Sequence, residues 1–132
     1  MSETSKRLEV LFELKRFDEL LEESIPLCAS HTEEQGIAYH YTILAFIQLE
    51  RFDEAFAYSK NALASFPEEV HYLYFQAFIL FKQNRSKEAL GVVQTLLAKE
   101  PNHDVYHHLH AQVLVELERY VEAKRAIDKA LS

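Results

Sequence analysis

The stretch Arg51-Phe52-Asp53-Glu54-Ala55 has three relatives elsewhere in the chain of 132 residues. They are Arg16-Phe17-Asp18-Glu19-Leu20, Arg85-Ser86-Lys87-Glu88-Ala89 and Arg119-Tyr120-Val121-Glu122-Ala123. The second residues of the four copies are 35, 34 and 34 residues apart. Self-similarity at a fixed period of roughly 20 to 50 residues is the sequence signature of a repeat architecture. The spacing therefore predicts four structural units of one kind.

Each copy lies between an apolar segment that precedes it and an amphipathic segment that follows it. The chain has only two glycines and three prolines, which is too little turn chemistry for a β protein rich in hairpins. The sequence therefore predicts an all-α chain in which each unit is a pair of antiparallel helices. The eight helices are predicted at residues 4–14, 17–29, 35–49, 53–65, 69–83, 87–99, 103–117 and 121–131.

The prolines give further signals of helix ends. Pro67 and Pro101 are 34 residues apart, and each is expected to end the helix before it, because proline lacks an N–H and restricts the preceding residue. Asn102 and Asp104 offer side-chain oxygens that could cap the helix after Pro101. Pro26 lies inside the second predicted helix and is expected to kink that helix or to make it start late.

Charge and composition limit the possible partners. The composition, 48% hydrophobic and 27% charged, is ordinary for a globular chain. The net charge of -7 argues against a nucleic-acid partner, because phosphate binding depends on lysine and arginine. Residues 1–35 carry four basic and nine acidic groups, which could favour head-to-tail contact or a basic ligand. A solvated surface is the alternative interpretation of this acidic segment.

Cysteine usage and hydropathy predict a cytoplasmic protein. Cys28 is the only cysteine, so an internal disulfide is excluded and a reducing compartment fits best. The first ten residues lack the apolar core of a secretory signal. The most apolar stretch, Val70 to Phe81, would span about 18 Å as a helix, against about 30 Å of bilayer hydrocarbon. We therefore expect no membrane span.

Enzymatic motifs are absent from the sequence. Gly36 and Gly91 are too far apart to form a phosphate-binding loop, and there is neither a His-Glu-x-x-His helix nor a cysteine pair for zinc. Cys28 is interpreted as a small packed side chain rather than a nucleophile. We expect a non-enzymatic protein without a cofactor.

Three histidines raise the question of a metal site. His103, His107 and His110 have helical spacing, and such a stripe could hold a transition metal. The repeat register instead places His107 and His110 in inward-packing positions and His103 before its helix. We interpret them as structural or solvated histidines, with adventitious metal binding as the alternative, and predict no physiological metal site.

With this 34-residue period, the chain resembles the tetratricopeptide repeat (TPR) family. The column of small residues Ala55, Ala89 and Ala123 and the prolines Pro67 and Pro101 match its pattern. The resemblance covers residues 36–132 well and 4–35 loosely. It implies one domain, residues 1–132, folded as a right-handed superhelical array of four antiparallel helical hairpins. The hairpins are expected at 1–35, which is the divergent repeat, and at 36–69, 70–103 and 104–132.

The chain departs from the family pattern in three ways. Ile43 stands where a small residue is preferred, Ser86 stands where an aromatic residue is usual, and one column is polar. Thr42, Gln76 and His110 stand where leucine is common in the family.

The resemblance also implies a binding surface, because stacked hairpins line a concave side with their first helices. Residues three, seven and ten apart share one face of such a helix. The ligand-binding groove is therefore expected to contain twelve residues: Ile37, His40, Leu44, Ile47, His71, Tyr74, Phe78, Phe81, Val105, His108, Gln112 and Val115.

This predicted face is apolar for a surface. Each aromatic side chain offers roughly 150 to 250 Å². Tyr74, Phe78 and Phe81, with Leu44 and Ile47 beside them, could therefore form a patch of the size that usually marks an interaction site. The alternative is that a tightly wound superhelix buries these side chains against one another.

The same face lacks the residues of one known binding mode. Family members that hold the carboxylate tails of heat-shock chaperones use Lys, Asn and Arg here. The matching places are His40, Leu44, Phe75, Val105 and Leu109, so binding of those tails is not expected.

We predict a non-catalytic module that binds an amphipathic helix or an extended peptide of a protein partner. A homodimer or oligomer through the same face, and a chaperone that shields an apolar segment of a client, are the alternatives.

Overall fold

The computed structural model describes residues 2–132, which form eight α-helices and no strand. The helices are α1 (Glu3–Glu13), α2 (Phe17–Cys28), α3 (Gln35–Gln48), α4 (Phe52–Ser65), α5 (His71–Lys82), α6 (Ser86–Lys99), α7 (Asp104–Glu116) and α8 (Tyr120–Leu131). Every bound lies within two residues of its prediction. The predicted all-α repeat fold is therefore confirmed.

The chain divides into two compact units, Met1–Pro67 and Glu68–Ser132. In unit 1, α1 packs on α2 and α3 packs on α4, while α3 also contacts α1 and α2. In unit 2, α5 packs on α6 and α7 packs on α8, while α7 also contacts α5 and α6. Within each unit, the first helix of the second hairpin thus covers the first hairpin. The single domain over residues 1–132 and the right-handed superhelix stay predictions.

All four hairpins use the same turn between their helices. Lys15, Glu50, Asn84 and Glu118 have φ angles of 60°, 57°, 62° and 59°, in the left-handed region. At the second turn, the N–H of Arg51 donates to the carbonyl of Phe46 at 2.8 Å, and the N–H of Glu50 donates to that of Ile47 at 3.0 Å. The same two bonds recur at the other three turns. This is a Schellman motif, which satisfies the last carbonyls of the first helix.

The arginine after each left-handed residue pairs with a glutamate in the first turn of the next helix. The pairs are Arg16–Glu19, Arg51–Glu54, Arg85–Glu88 and Arg119–Glu122. A hydrogen bond from the arginine lowers the pKa of Glu54, Glu88 and Glu122. These side chains are exposed, so each pair contributes little to stability. Their main effect is to hold the arginine side chain beside the turn.

Small residues allow the two helices of a hairpin to approach closely. Ala55 and Ala89 are fully buried, and Ala123 is 5% exposed. In unit 1, the core also contains a polar pair, since the hydroxyls of Ser24 and Thr42 lie 2.6 Å apart. Thr42 occupies a column where the family prefers leucine, and its hydroxyl is buried with a hydrogen-bond partner. The departure from the family pattern at this position therefore leaves no unsatisfied group.

Two local predictions about helix ends were wrong. Helix α2 begins at Phe17 and not late, and it contains Pro26. The other expectation for this helix, a kink at Pro26, stays a prediction. Pro26 lies in the last turn, where the carbonyl of the exposed Glu22 can be solvated, so the missing hydrogen bond costs little. Neither Asn102 nor Asp104 caps α7: the N-cap is His103, without a side-chain hydrogen bond, and Asp104 is the first helical residue.

The turn geometry predicts that Glu50→Gly stabilises the protein. A non-glycine residue in the left-handed region is strained by about 1–2 kcal/mol, and part of the gain is offset by the greater freedom of glycine in the unfolded chain. We expect a net gain of roughly 0.5–1 kcal/mol in the free energy of unfolding, measured by urea denaturation. Gln48→Gly, in the last turn of α3, is the control and should cost about 1 kcal/mol. Equal destabilisation by both variants would contradict the claim that Glu50 is strained in the left-handed region.

Candidate functional site

The structure separates the predicted groove residues by exposure. In unit 1, Ile37, His40 and Leu44 are half-buried, and Ile47 is 9% exposed and offers little surface. In unit 2, the residues from α5 are half-buried, whereas those from α7 are exposed. The half-buried ones are His71, Tyr74, Phe78 and Phe81, and the exposed ones are Val105, His108, Gln112 and Val115.

Unit 2 contains a groove of about 550 Å³, which we call the α7–α8 groove. Its lining is Phe81 from α5, His108, Ala111, Gln112, Val115 and Glu116 from α7, and Tyr120, Ala123, Lys124 and Ile127 from α8. Four of the twelve predicted residues therefore come together here, namely Phe81, His108, Gln112 and Val115.

The α8 wall of this groove was missed in the sequence analysis. Tyr120, Ala123, Lys124 and Ile127 are spaced by three, one and three residues, so they share one face of a helix. That spacing was a usable signal. The family resemblance assigns only the first helix of each hairpin to the binding surface, so the prediction did not include this face of α8.

The α7–α8 groove is lined by both apolar and polar side chains. Val115 is 47% exposed and Tyr120 is 60% exposed, which are high values for large apolar side chains. The polar residues of the lining are His108, Gln112, Glu116 and Lys124. Exposed apolar side chains grouped in one groove are typical of an interaction surface.

A second feature of unit 2 is a row of rings, which we call the aromatic ladder: Phe78, Tyr74, Tyr106 and His103. The Tyr74 ring stacks on Phe78 at 6.3 Å and on Tyr106 at 5.4 Å between centroids, and Tyr106 stacks on His103 at 3.8 Å. Lys82 Nζ lies 5.5 Å from the centroid of Phe78. Burial raises the pKa of Tyr74. Tyr74 is thus tied to α7 through Tyr106, and both Tyr74 and Phe78 are half-buried.

The three histidines with helical spacing have different surroundings in the structure. His103 is exposed and stacks on Tyr106, whereas His107 is 6% exposed with Nε2 2.6 Å from the carbonyl oxygen of Pro101. His110 is half-buried. Among residues 2–132, no three His, Cys, Asp or Glu side chains are grouped so that they could hold a metal ion.

Cys28 is packed, as predicted. It is 4% exposed, and its Sγ lies 3.5 Å from Thr42 Oγ1. Burial raises the pKa of the thiol, so the reactive thiolate is disfavoured.

No helix in the described part of the chain has the length and apolarity needed to cross a membrane.

Two half-buried histidines predict a loss of stability in mild acid. Burial is the main cause that lowers the pKa of both His71 and His110 below the ordinary value of 6.5. The unfolded chain therefore takes up protons before the folded chain does as the pH falls. Their contribution to stability is complete above about pH 6.5 and is lost as the pH falls toward the lowered pKa values.

This loss can be measured by urea denaturation at about pH 7.5 and pH 5.5. The double variant His71→Gln, His110→Gln should show a smaller difference between the two pH values than the wild type. His31→Gln, which replaces an exposed histidine, is the control and should behave as the wild type. An unchanged pH difference in the double variant would contradict the assignment.

Comparison with solved structures agrees with this architecture. A MamA chain from Desulfovibrio magneticus RS-1, spanning residue 41 to the end, is 18% identical with a TM-score of 0.80, and the match covers 99% of this chain and 76% of that one. A second MamA structure is 12% identical with a TM-score of 0.82, covering 97% and 74%. At these identities the likeness shows the fold alone.

Sequence comparison gives a family. A search of curated proteins gave no match. Residues 48–130 match the model of the family described as anaphase-promoting complex, cyclosome, subunit 3 (ANAPC3). This match includes more than half of the chain and extends over α4 to α8, with three of the four turns. With its four TPR-like hairpins, the chain belongs to the ANAPC3 family.

Proposed function

We propose that the chain is a non-catalytic protein-interaction module that binds an amphipathic helix or an extended peptide through the α7–α8 groove. The observation that carries the proposal is the exposure of Val115 and Tyr120 beside Phe81 in one groove. Exposed apolar side chains that form a continuous patch with a polar rim mark interaction sites.

The size of the groove limits what enters it. A volume of about 550 Å³ has room for a few side chains rather than a whole helix. The ligand therefore lies over the groove and inserts residues from one face, as apolar anchors at helical spacing do. His108, Gln112 and Lys124 are placed to hydrogen-bond the polar edges of the ligand.

The aromatic ladder extends the proposed surface within unit 2. Tyr74 and Phe78 are half-buried, and stacking on neighbouring rings fixes their orientation. Pre-ordered aromatic rings lose little conformational entropy when a ligand binds, which favours their use as anchors. We assign Tyr74, Phe78 and Phe81 the main anchoring role, and Leu44 of unit 1 stays a predicted contact.

The net charge of -7 favours a protein ligand over nucleic acid. Within that class, the exposed apolar side chains favour a ligand with an apolar stripe.

The proposal predicts that Val115→Ser, Tyr120→Ser weakens peptide binding. Peptides selected on the wild-type protein from a displayed random library should carry apolar residues three and four positions apart. Their affinity for the double variant should fall by roughly tenfold or more, because two exposed apolar side chains of the groove are lost. Circular dichroism should show unchanged helicity, since both side chains are largely exposed.

Val121→Ser is the matched control for this experiment. Val121 is 70% exposed, adjoins Tyr120 in the sequence and does not line the groove. Peptides that bind the double variant and the wild type equally well would rule out the groove as the binding site.

Self-association through the same groove is the alternative that the exposed Val115 and Tyr120 also favour. Light scattering over a range of protein concentrations separates the two functions. We expect the mass of one chain, 15.4 kDa, at all concentrations. A dimer that dissociates when Val115 and Tyr120 are replaced by serine would instead assign the groove to self-association.

A further inference from the structure

A second cavity in unit 2 lies against the opposite face of α8. It has a volume of about 350 Å³, and we call it the basic pocket. Its lining is Leu97, Pro101, His107, His110, Glu122, Arg125, Ala126 and Lys129. On an ideal helix, the four lining residues from α8 point away from the four that line the α7–α8 groove. The two cavities therefore use different residues and can be tested separately.

The charged residues of the basic pocket leave an excess of positive charge. Glu122 is already engaged, since both of its carboxylate oxygens accept hydrogen bonds from Arg119, at 2.8 and 2.7 Å. Arg125 and Lys129 are one helical turn apart, and neither forms an ion pair with any described residue. Two cationic side chains thus line one concave surface.

The opposite wall of the pocket contains two imidazoles from α7. The Nε2 of His107 must donate its hydrogen to the carbonyl of Pro101, because a carbonyl oxygen can only accept. In the neutral ring, Nδ1 is then an acceptor, and it is buried without a hydrogen-bond partner. An oxyanion has no hydrogen to donate to this acceptor, so His107 shapes the wall of the pocket and is not one of the groups that would bind an anion.

The pKa of His110 depends on its burial and on the charged residues around the pocket. Burial is the largest cause that lowers its pKa, followed by the proximity of His107. Several groups face His110 from α8 and from the turn before it: Glu122, which raises the pKa, Arg119 and Lys129, which lower it, and Arg125. The remaining wall residues, Leu97, Pro101 and Ala126, do not titrate.

We propose that the basic pocket binds a small oxyanion, a carboxylate or phosphate group, between Arg125 and Lys129 with His110 as a further donor. Both cations and the imidazole are donors, and an oxyanion accepts several charge-assisted hydrogen bonds at once. The site is distinct from the first-helix face, where the sequence has no cationic clamp. It is independent of the proposed peptide binding in the α7–α8 groove.

The proposal has a pH signature. A bound anion places negative charge beside His110 and so raises its pKa. By linkage, the anion must bind more tightly as the pH falls and His110 becomes protonated. Sulfate is a suitable probe because it keeps its charge of -2 over the whole range, so any pH dependence belongs to the protein.

The test is an NMR titration of the His110 ring protons between about pH 5 and pH 8. Sodium sulfate is compared with sodium chloride at equal ionic strength. Sulfate should raise the His110 pKa and bind more tightly at the acid end of the range. N-acetylglutamate in place of sulfate shows whether a carboxylate also fits, while a response to sulfate alone assigns the pocket to tetrahedral anions.

Substitutions in the basic pocket test where sulfate binds. Arg125→Gln and Lys129→Gln should each weaken sulfate binding roughly two- to fivefold, and the double variant about tenfold or more, as expected for partly exposed charges. Lys124→Gln is the matched control: it makes the same charge change on the opposite face of α8, where Lys124 lines the α7–α8 groove. Absence of any sulfate effect on His110, or equal weakening by Lys124→Gln, would overturn the proposal.

Discussion

The turn inside each hairpin is the constraint on which the rest of the structure depends. One residue in the left-handed region reverses the chain, so the second helix must return along the first at close range. That approach is possible because Ala55, Ala89 and Ala123 stand where the helices meet and are buried. Since all four turns form the same hydrogen bonds, the two helices of every hairpin are joined in the same way. The 34-residue period in the sequence therefore corresponds to one helical hairpin, and this hairpin is repeated within each unit.

This geometry explains why α8 can contribute to two different surfaces. Ala123 and Ala126 point inward and fix the helix on α7. The residues on either side of that buried line are then divided between two cavities, one apolar around Tyr120 and one basic around Lys129. A helix with a period of 3.6 residues separates such sets without a change in backbone structure. The second helix of the last hairpin, rather than its first helix alone, thus has the chemistry for binding.

Periodicity predicted the helices well, but it could not predict every turn residue or contact. Only Asn84 has a side chain that favours the left-handed region, while Lys15 and Glu50 have none of the preference that would have marked their positions. The groove prediction included Phe81 and Val115 because they lie on first helices. It missed the Tyr120 wall because contacts between helices of one hairpin depend on rotation about the helix axis, which a repeat pattern leaves open.

Polar residues in one column of the repeat have different surroundings in the two units. Thr42 and His110 stand in the same column, where leucine would pack without polar atoms. Thr42 is compensated by the hydroxyl of Ser24 at 2.6 Å, which makes that position a closed part of the core. His110 instead borders an open cavity beside His107, whose Nδ1 has no hydrogen-bond partner. A polar group in a core is stable only when it is paired. The same column therefore holds a paired hydroxyl in unit 1 and, in unit 2, an imidazole that borders a cavity lined by the two cations Arg125 and Lys129.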